Sequence, residues 1–177
     1  LEGGYGNDIL NGGIGNDTLD GAGYDDWDTA DYSDVTAAIK VDLNIGEAQN
    51  TLGEGTDTLI SIERILGGAG NDTLIGWSND DSDLEGNAGN DSLVGGDADD
   101  YLFGGAGNDT LLGGNGNDTA DYFGTAGVTV NLAAGKAIGG AGTDSLSGIE
   151  NVNGSLGNDT LLGSSGANEL FGDAGAD

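Results

Sequence analysis

One spacing constrains this chain more than any other: Gly-x-x-Gly-x-Asp occurs nine times, ending at Asp8, Asp17, Asp72, Asp91, Asp109, Asp118, Asp144, Asp159 and Asp177. Weaker copies end at Asp26, where Tyr24 replaces the second glycine, at Asp100, where Ala98 does, and at Asp57, where Leu52 replaces the first. A further copy ends at Asn168, an amide in place of the acid. Two residues beyond most of these positions stands a leucine, as at Leu10, Leu19, Leu59, Leu74, Leu93, Leu102, Leu111, Leu146 and Leu161. Six residues rich in Gly, Asn and Asp favour a turn with positive φ, and three residues such as Thr110-Leu111-Leu112 suit a short strand with one inward anchor. Glycine recurs too often for helix. Two turn–strand units make an eighteen-residue coil, and Asp91 with Asp109, Asp100 with Asp118, Asp8 with Asp26, and Asp159 with Asp177 stand one coil apart. The expectation is an all-β parallel solenoid whose stacked coils bring each such pair to the same side.

Two longer cassettes interrupt the array and resemble each other. Both begin Ala-Asp-Tyr (Ala30 and Ala120), continue with an alternating apolar run (Val41, Leu43, Ile45; Val128, Val130, Leu132), and end with Gly-Thr-Asp and Ile-Glu pairs. The organisation is therefore repeats over 1–29, a cassette over 30–66, repeats over 67–119, a cassette over 120–153 and repeats over 154–177. Period-2 alternation predicts longer strands with one buried face. These either continue the solenoid as wider coils, the expected arrangement, or form a small separate sandwich. A ten-residue unit over 76–85 makes Asp72 and Asp91 nineteen apart, and predicts a bulge there with Asp80 or Asp81 as its acid.

Charge narrows the partners. Three basic residues face 32 acidic ones, for a formal net charge of −29, which repels nucleic-acid phosphates and anionic head groups and attracts cations. No histidine or cysteine is present, so zinc and copper chemistry, disulfides and a Ser-His-Asp set are excluded. There is no apolar run of membrane-spanning length, so direct membrane insertion is not expected. The first residues begin inside a repeat, as in a piece of something longer. So acidic and glycine-rich a chain would be disordered, were it not for a leucine anchored at one fixed place in most units.

Stacking at the strand spacing of about 4.8 Å brings like charges together, and two of them near 5 Å repel by about 3 kcal/mol at an effective dielectric near 20. A divalent cation between coils reverses that sign. Calcium fits best, because it takes six to eight hard oxygen ligands in flexible geometry, whereas magnesium demands a tight octahedron. The expected carboxylate ligands are Asp8, Asp17, Asp26, Asp57, Asp72, Asp91, Asp100, Asp109, Asp118, Asp144, Asp159 and Asp177. Backbone carbonyls of turn glycines such as Gly86, Gly89, Gly104, Gly105 and Gly107 complete the shells, since glycine lets the main chain approach the ion. The full pattern G-G-x-G-x-D-x-U-x, with U a large apolar residue, is a known calcium-binding parallel β-helix repeat.

On these residues the chain resembles the RTX (repeats-in-toxin, haemolysin-type) calcium-binding repeats of secreted bacterial proteins. The resemblance implies a right-handed parallel β-roll with several calcium ions between turns, type I secretion, and a chain that folds outside the cell. It weakens at Tyr24, Ala98 and Asn168. The cassettes resemble spacers of large extracellular proteins and adhesins. The expected function is a calcium-dependent spacer, scaffold or adhesin segment, secreted or at the cell surface. The alternative is the secretion and folding region of a hydrolase, epimerase or toxin whose catalytic domain lies elsewhere.

Enzyme activity is not expected of this segment itself, although Asp31 with Glu63 and Asp121 with Glu150 have the composition of a glycosidase pair. Tyr5, Tyr24, Trp27, Tyr32, Trp77, Tyr101 and Tyr122 do not recur at one repeat position, so core filling or edge covering is expected of them rather than a sugar- or ice-facing platform. Beyond calcium, the expected partners are neighbouring copies end to end or a cell-surface polysaccharide.

Overall fold

The computed structural model describes residues 1–23, 26–124 and 126–177; Tyr24, whose place in its motif is noted above, lies outside them. Nineteen short strands are formed among the described residues: β1 (Ile9–Leu10), β2 (Thr18–Asp20), β3 (Thr29–Asp31), β4 (Lys40–Asp42), β5 (Gln49–Asn50), β6 (Thr56–Ile60), β7 (Arg64–Leu66), β8 (Thr73–Ile75), β9 (Asp83–Glu85), β10 (Ser92–Gly96), β11 (Tyr101–Phe103), β12 (Thr110–Gly114), β13 (Thr119–Asp121), β14 (Val128–Asn131), β15 (Lys136–Gly139), β16 (Gly142–Ser147), β17 (Asn151–Asn153), β18 (Thr160–Leu162) and β19 (Leu170–Phe171). A single 3-10 turn, Leu132–Ala134, is the only helical element among them.

The strands form two walls. The first is an eight-stranded parallel sheet in the order β1-β3-β7-β9-β11-β13-β17-β19. The second runs β2-β6-β5, then β4-β8-β10-β12-β16-β15-β14-β18. Its two parts meet where the Gln49 side chain accepts from the Asp42 amide at 2.8 Å and donates to the Asp42 carbonyl at 2.9 Å. Chain order alternates between walls, so each coil contributes to both, as the eighteen-residue period requires.

Register explains why one leucine per unit suffices. In the second wall Leu74, Leu93, Leu111 and Leu146 are successive cross-strand partners, and in the first wall so are Ala30, Ile65, Leu84, Leu102, Ala120 and Val152. In a three-residue strand only the middle side chain points inward, and these side chains are buried in one continuous stack. Each buried leucine contributes about 1.5–3 kcal/mol of transfer free energy.

The middle strands of both cassettes lie in the second wall, while their ends, at β3 and β7 and at β13 and β17, belong to the first. In the second cassette, β14, β15 and β16 form an antiparallel meander; in the first, only β5 and β6 pair antiparallel, with β4 joined to them through Gln49 and the Ile39–Leu52 bridge. In both, the last strand pairs in parallel with the preceding coil (β6 on β2, β16 on β12) and the first with the following coil (β4 on β8, β14 on β18). The alternating residues Val41, Leu43, Val128 and Val130 are buried, as period 2 predicts, whereas Ile45 is exposed. The ten-residue unit over 76–85 is absorbed in its turn, and its strand β9 keeps register with β11.

Candidate metal centres

Most turns deliver a carboxylate just before or at the start of a strand, and backbone hydrogen bonds lock these groups into two inter-coil ladders. Along the second wall the amide of Asp72 donates to Asp91 Oδ1 (2.7 Å), that of Asp91 to Asp109 (2.9 Å), and that of Asp109 to Asp144 (3.0 Å). At the ends of this wall Asp17 donates to Asp57 (3.0 Å) and Asp159 to Asp177 (2.9 Å). Along the first wall the donors and acceptors are Ser82 to Asp100 (2.8 Å) and Asp100 to Asp118 (2.9 Å).

The first-wall ladder also holds residues the glycine spacing does not reveal. Asp8 donates to Asp28, not to Asp26, at 2.8 Å; Asp28 is buried, whereas Asp26 is half-buried and accepts from the Gly6 amide. The expected Asp8–Asp26 pairing is thus corrected by two residues. The signal was present: Asp28-Thr29-Ala30-Asp31 repeats Asp118-Thr119-Ala120-Asp121. Glu63 and Glu150 take the carboxylate position at the cassette exits, accepting from the amides of Asp28 (2.8 Å) and Asp118 (3.1 Å). Both glutamates therefore engage the ladder, not Asp31 or Asp121 as a glycosidase pair would. Ser82, rather than Asp80 or Asp81, fills the position in the ten-residue unit.

A second, exposed ladder runs the opposite way. The amide of Asn108 donates to the Asn90 side chain (2.9 Å), that of Asn90 to Asn71 (2.8 Å), and that of Thr143 to Asn108 (2.9 Å). The asparagine before each aspartate thus joins coils rather than closing its own turn.

The outer carboxylate oxygens divide the aspartates into two sets. Oδ2 of Asp8, Asp17, Asp91, Asp100, Asp109 and Asp118 is buried without a hydrogen-bond donor. Protein donors serve the others: Tyr32 and Thr51 hydroxyls reach Asp57 Oδ2 at 3.2 and 3.0 Å, the Gly68 amide reaches Asp72 Oδ2 at 2.8 Å, and Ser155 bonds both oxygens of Asp159. The buried Tyr122 lies beside Asp144 and offsets part of the rise that burial imposes on that carboxylate. Tyr32 and Tyr122 are consequently buried cassette residues aimed at ladder carboxylates.

Burial shifts protonation in both sets, raising Asp72 and Asp144 as well as Asp91, Asp100, Asp109 and Asp118. Burial, with Asp109 and Asp72 nearby, pushes Asp91 up to about 7 against the pull of its backbone hydrogen bond. Burial likewise raises Asp100 to about 7, with Asp118 and Asp81 adding, and raises Asp109 and Asp118 to about 6, beside Asp144 and Glu150 respectively. Asp159 is instead held below the usual range: burial raises it, but the Val128 and Ser155 hydrogen bonds outweigh that.

Orphaned, negatively charged, buried oxygens are what a hard cation relieves. Among the described residues no three Asp or Glu side chains converge as a ready-made cage, so backbone oxygens must complete any shell. The turns supply them. A Cβ on Gly104 would stand 2.5 Å from Asp109 Oδ2, and one on Gly107 would collide with the Gly89 carbonyl oxygen in the coil before. Gly105 also needs φ of 89°, which side chains rarely adopt. A hard oxygen set of this kind suits calcium and not a soft metal.

Four segments, residues 1–27, 61–82, 85–120 and 146–177, match the family described as RTX calcium-binding nonapeptide repeat, and together they cover more than half of the chain. A search of curated proteins found no match.

Proposed function

The chain belongs to the family of RTX calcium-binding nonapeptide repeats, whose members bind several calcium ions, and on that premise we propose that it is a calcium-ordered structural module of a secreted or cell-surface protein. The observation that carries the reading is the set of six buried, donorless Oδ2 atoms. We assign the ions to the turns bearing Asp8, Asp17, Asp91, Asp100, Asp109 and Asp118, with carbonyls of glycines such as Gly86, Gly89, Gly104, Gly105 and Gly107 as the remaining ligands. Bound calcium supplies positive charge between carboxylates that otherwise repel. The protein's own residues hold those carboxylates in line through the amide-to-Oδ1 ladder, exclude water with the leucine stack, and leave Oδ2 as the open ligand.

The cassettes serve differently in this reading. Within them Tyr32 and Thr51 occupy the coordination capacity of Asp57 with hydrogen bonds and Tyr122 lies beside Asp144, and in the turns just past them Gly68 and Ser155 bond Asp72 and Asp159. They are spacers that join ion-bearing blocks without ions of their own. Secretion fits the family's usual type I route, and among the described residues no helix is long and apolar enough to cross a membrane. Extracellular calcium modules bind at about 10⁻⁴–10⁻³ M, so such a chain is ordered outside a cell and not in a calcium-poor interior. Calcium stoichiometry by titration calorimetry tests the assignment. Asp91→Asn and Asp109→Asn each bind fewer ions than the parent, and Asp57→Asn binds as many. Loss of an ion in Asp57→Asn with none in Asp109→Asn refutes it.

A further inference from the structure

All three phenylalanines of the chain, Phe103, Phe123 and Phe171, are missing from the core and line one hollow on the outer face of the first wall. Tyr101 joins them, and the hollow measures about 490 Å³. The strand pattern accounts for the placement of two rings: Leu102 points inward, so its neighbours Tyr101 and Phe103 point out. Phe123 and Phe171 are 57% and 54% exposed. Aromatic rings gathered on one exterior face of so acidic a protein mark a recognition site rather than packing. A second hollow, of about 480 Å³, shares Phe103 and Phe123 and continues past Asn87, Ala106 and Ala141. Both have the size of ligand pockets, and together they form a groove longer than one small molecule.

Charge identifies the occupant. Asp83, Glu85, Asp121 and Asp173 line the first hollow, with Arg64 the single base among its lining residues. Arg64 already shows what the wall holds, since its guanidinium lies 3.2 Å from Asp83 and 2.8 Å from Glu85. Asp121, only 4% exposed, is fixed by the Phe123 amide at 2.6 Å and the Asn153 side chain at 3.0 Å. Neither Asp121 nor Asp173 has a cation beside it among the described residues. Carboxylates next to exposed ring faces bind a guanidinium or ammonium by charge-assisted hydrogen bonds and cation–π attraction.

We propose that this groove binds a basic peptide segment, an arginine or lysine side chain seated between Asp121, Asp173 and the rings, with the apolar residues beside it crossing Phe103 and Phe123 into the second hollow. The first hollow lies on strands of the first wall, whereas the second runs beside the turns that carry Asp91 and Asp109, so the groove requires the calcium-ordered fold.

The test uses the calcium-saturated full chain and a short acetylated, amidated peptide carrying one arginine among alanines. Its glutamine counterpart and a neutral oligosaccharide serve as comparisons, all at physiological salt to screen general attraction to the acidic surface. The arginine peptide binds saturably and shifts the ring resonances of the three phenylalanines, and the comparisons bind at least tenfold more weakly. Phe103→Ala and Phe123→Ala leave net charge unchanged yet weaken binding at least tenfold, as does Asp121→Asn. Ile14→Ala and Asp34→Asn, far from the groove in sequence, leave it unchanged. Equal binding by the phenylalanine variants reduces the effect to general charge attraction and overturns the proposal. So does saturable binding of the oligosaccharide in place of the peptide, or peptide binding without shifts in the phenylalanine resonances, a readout that does not depend on any variant folding.

Discussion

Replacing Asp109 by asparagine separates the two roles of a ladder aspartate, because the amide keeps Oδ1 for the Asp91 backbone donor and removes only the charge. Asp109 has a carboxylate neighbour on each side, Asp91 and Asp144. At the strand spacing of about 4.8 Å and an effective dielectric near 20, each like-charge pair costs about 3 kcal/mol. Without calcium the substitution therefore relieves up to two such repulsions, and the chelated protein holds more β-structure than the parent. With calcium the sign reverses. At 10 mM calcium and a dissociation constant of about 10⁻⁴ M, one lost site removes about 2.7 kcal/mol of ligand stabilisation. For a domain of this size about 2–4 °C accompanies each kcal/mol, so the melting temperature falls by about 5–10 °C. Circular dichroism in chelator and in 10 mM calcium reads both arms. A substitution that lowers stability in chelator, or leaves the calcium-saturated melting temperature unmoved, refutes the reasoning.

Other expectations follow from neighbouring features. Leu111→Ala empties a fully buried position between Leu93 and Leu146 and costs about 2–5 kcal/mol in the calcium-saturated form, measured by urea unfolding. Tyr32→Phe removes a hydroxyl donor to the buried Asp57 carboxylate and costs about 1.5–3 kcal/mol without changing the number of ions bound; a changed ion count contradicts the capping role. Acid acts on the chelated protein in the direction opposite to ordinary acid denaturation. Asp91, Asp100, Asp109 and Asp118 titrate near 6–7 when folded, above the unfolded value near 3.9. The folded state therefore binds more protons, and stability is lost as pH rises from about 4 through 7. Lowering pH from 7.5 to 5 in chelator raises β-signal, and the same change raises the calcium concentration needed for folding, because protons compete for the ligands.

Much of this fold was legible because its period is short and its anchors are chemically distinct. Leucine at a fixed place after aspartate told both the strand and its inward residue, and the register Leu93 to Leu111 is the eighteen-residue coil seen in the spacing. The ladder was harder to read where glycine and acid dissociate. Asp28 occupies its position through the strand that follows it, not through the glycines before it, so the glycine spacing points to Asp26 instead. Glu63 and Glu150 were hidden for a related reason: a longer side chain reaches the same amide from a cassette exit that lacks the Gly-x-x-Gly spacing. Which aspartates keep an open oxygen could not be read locally at all. Asp57 and Asp109 have the same aspartate-to-leucine spacing, and they differ because Tyr32, 25 residues earlier, and Thr51, across the β5–β6 turn, are folded onto Asp57. The aromatic groove follows from alternation about Leu102, but its closure by Phe123 and Phe171 depends on coils that only stacking brings together.

The central claim is that calcium, and not chain propensity alone, orders the stacked aspartates. Far-ultraviolet circular dichroism through a calcium titration, with magnesium as control, tests it most directly. The account predicts weak β-signal in chelator, a cooperative rise between about 10⁻⁴ and 10⁻³ M calcium, and little response to magnesium at equal concentration. A β-signal already complete in chelator and unchanged by calcium would contradict it.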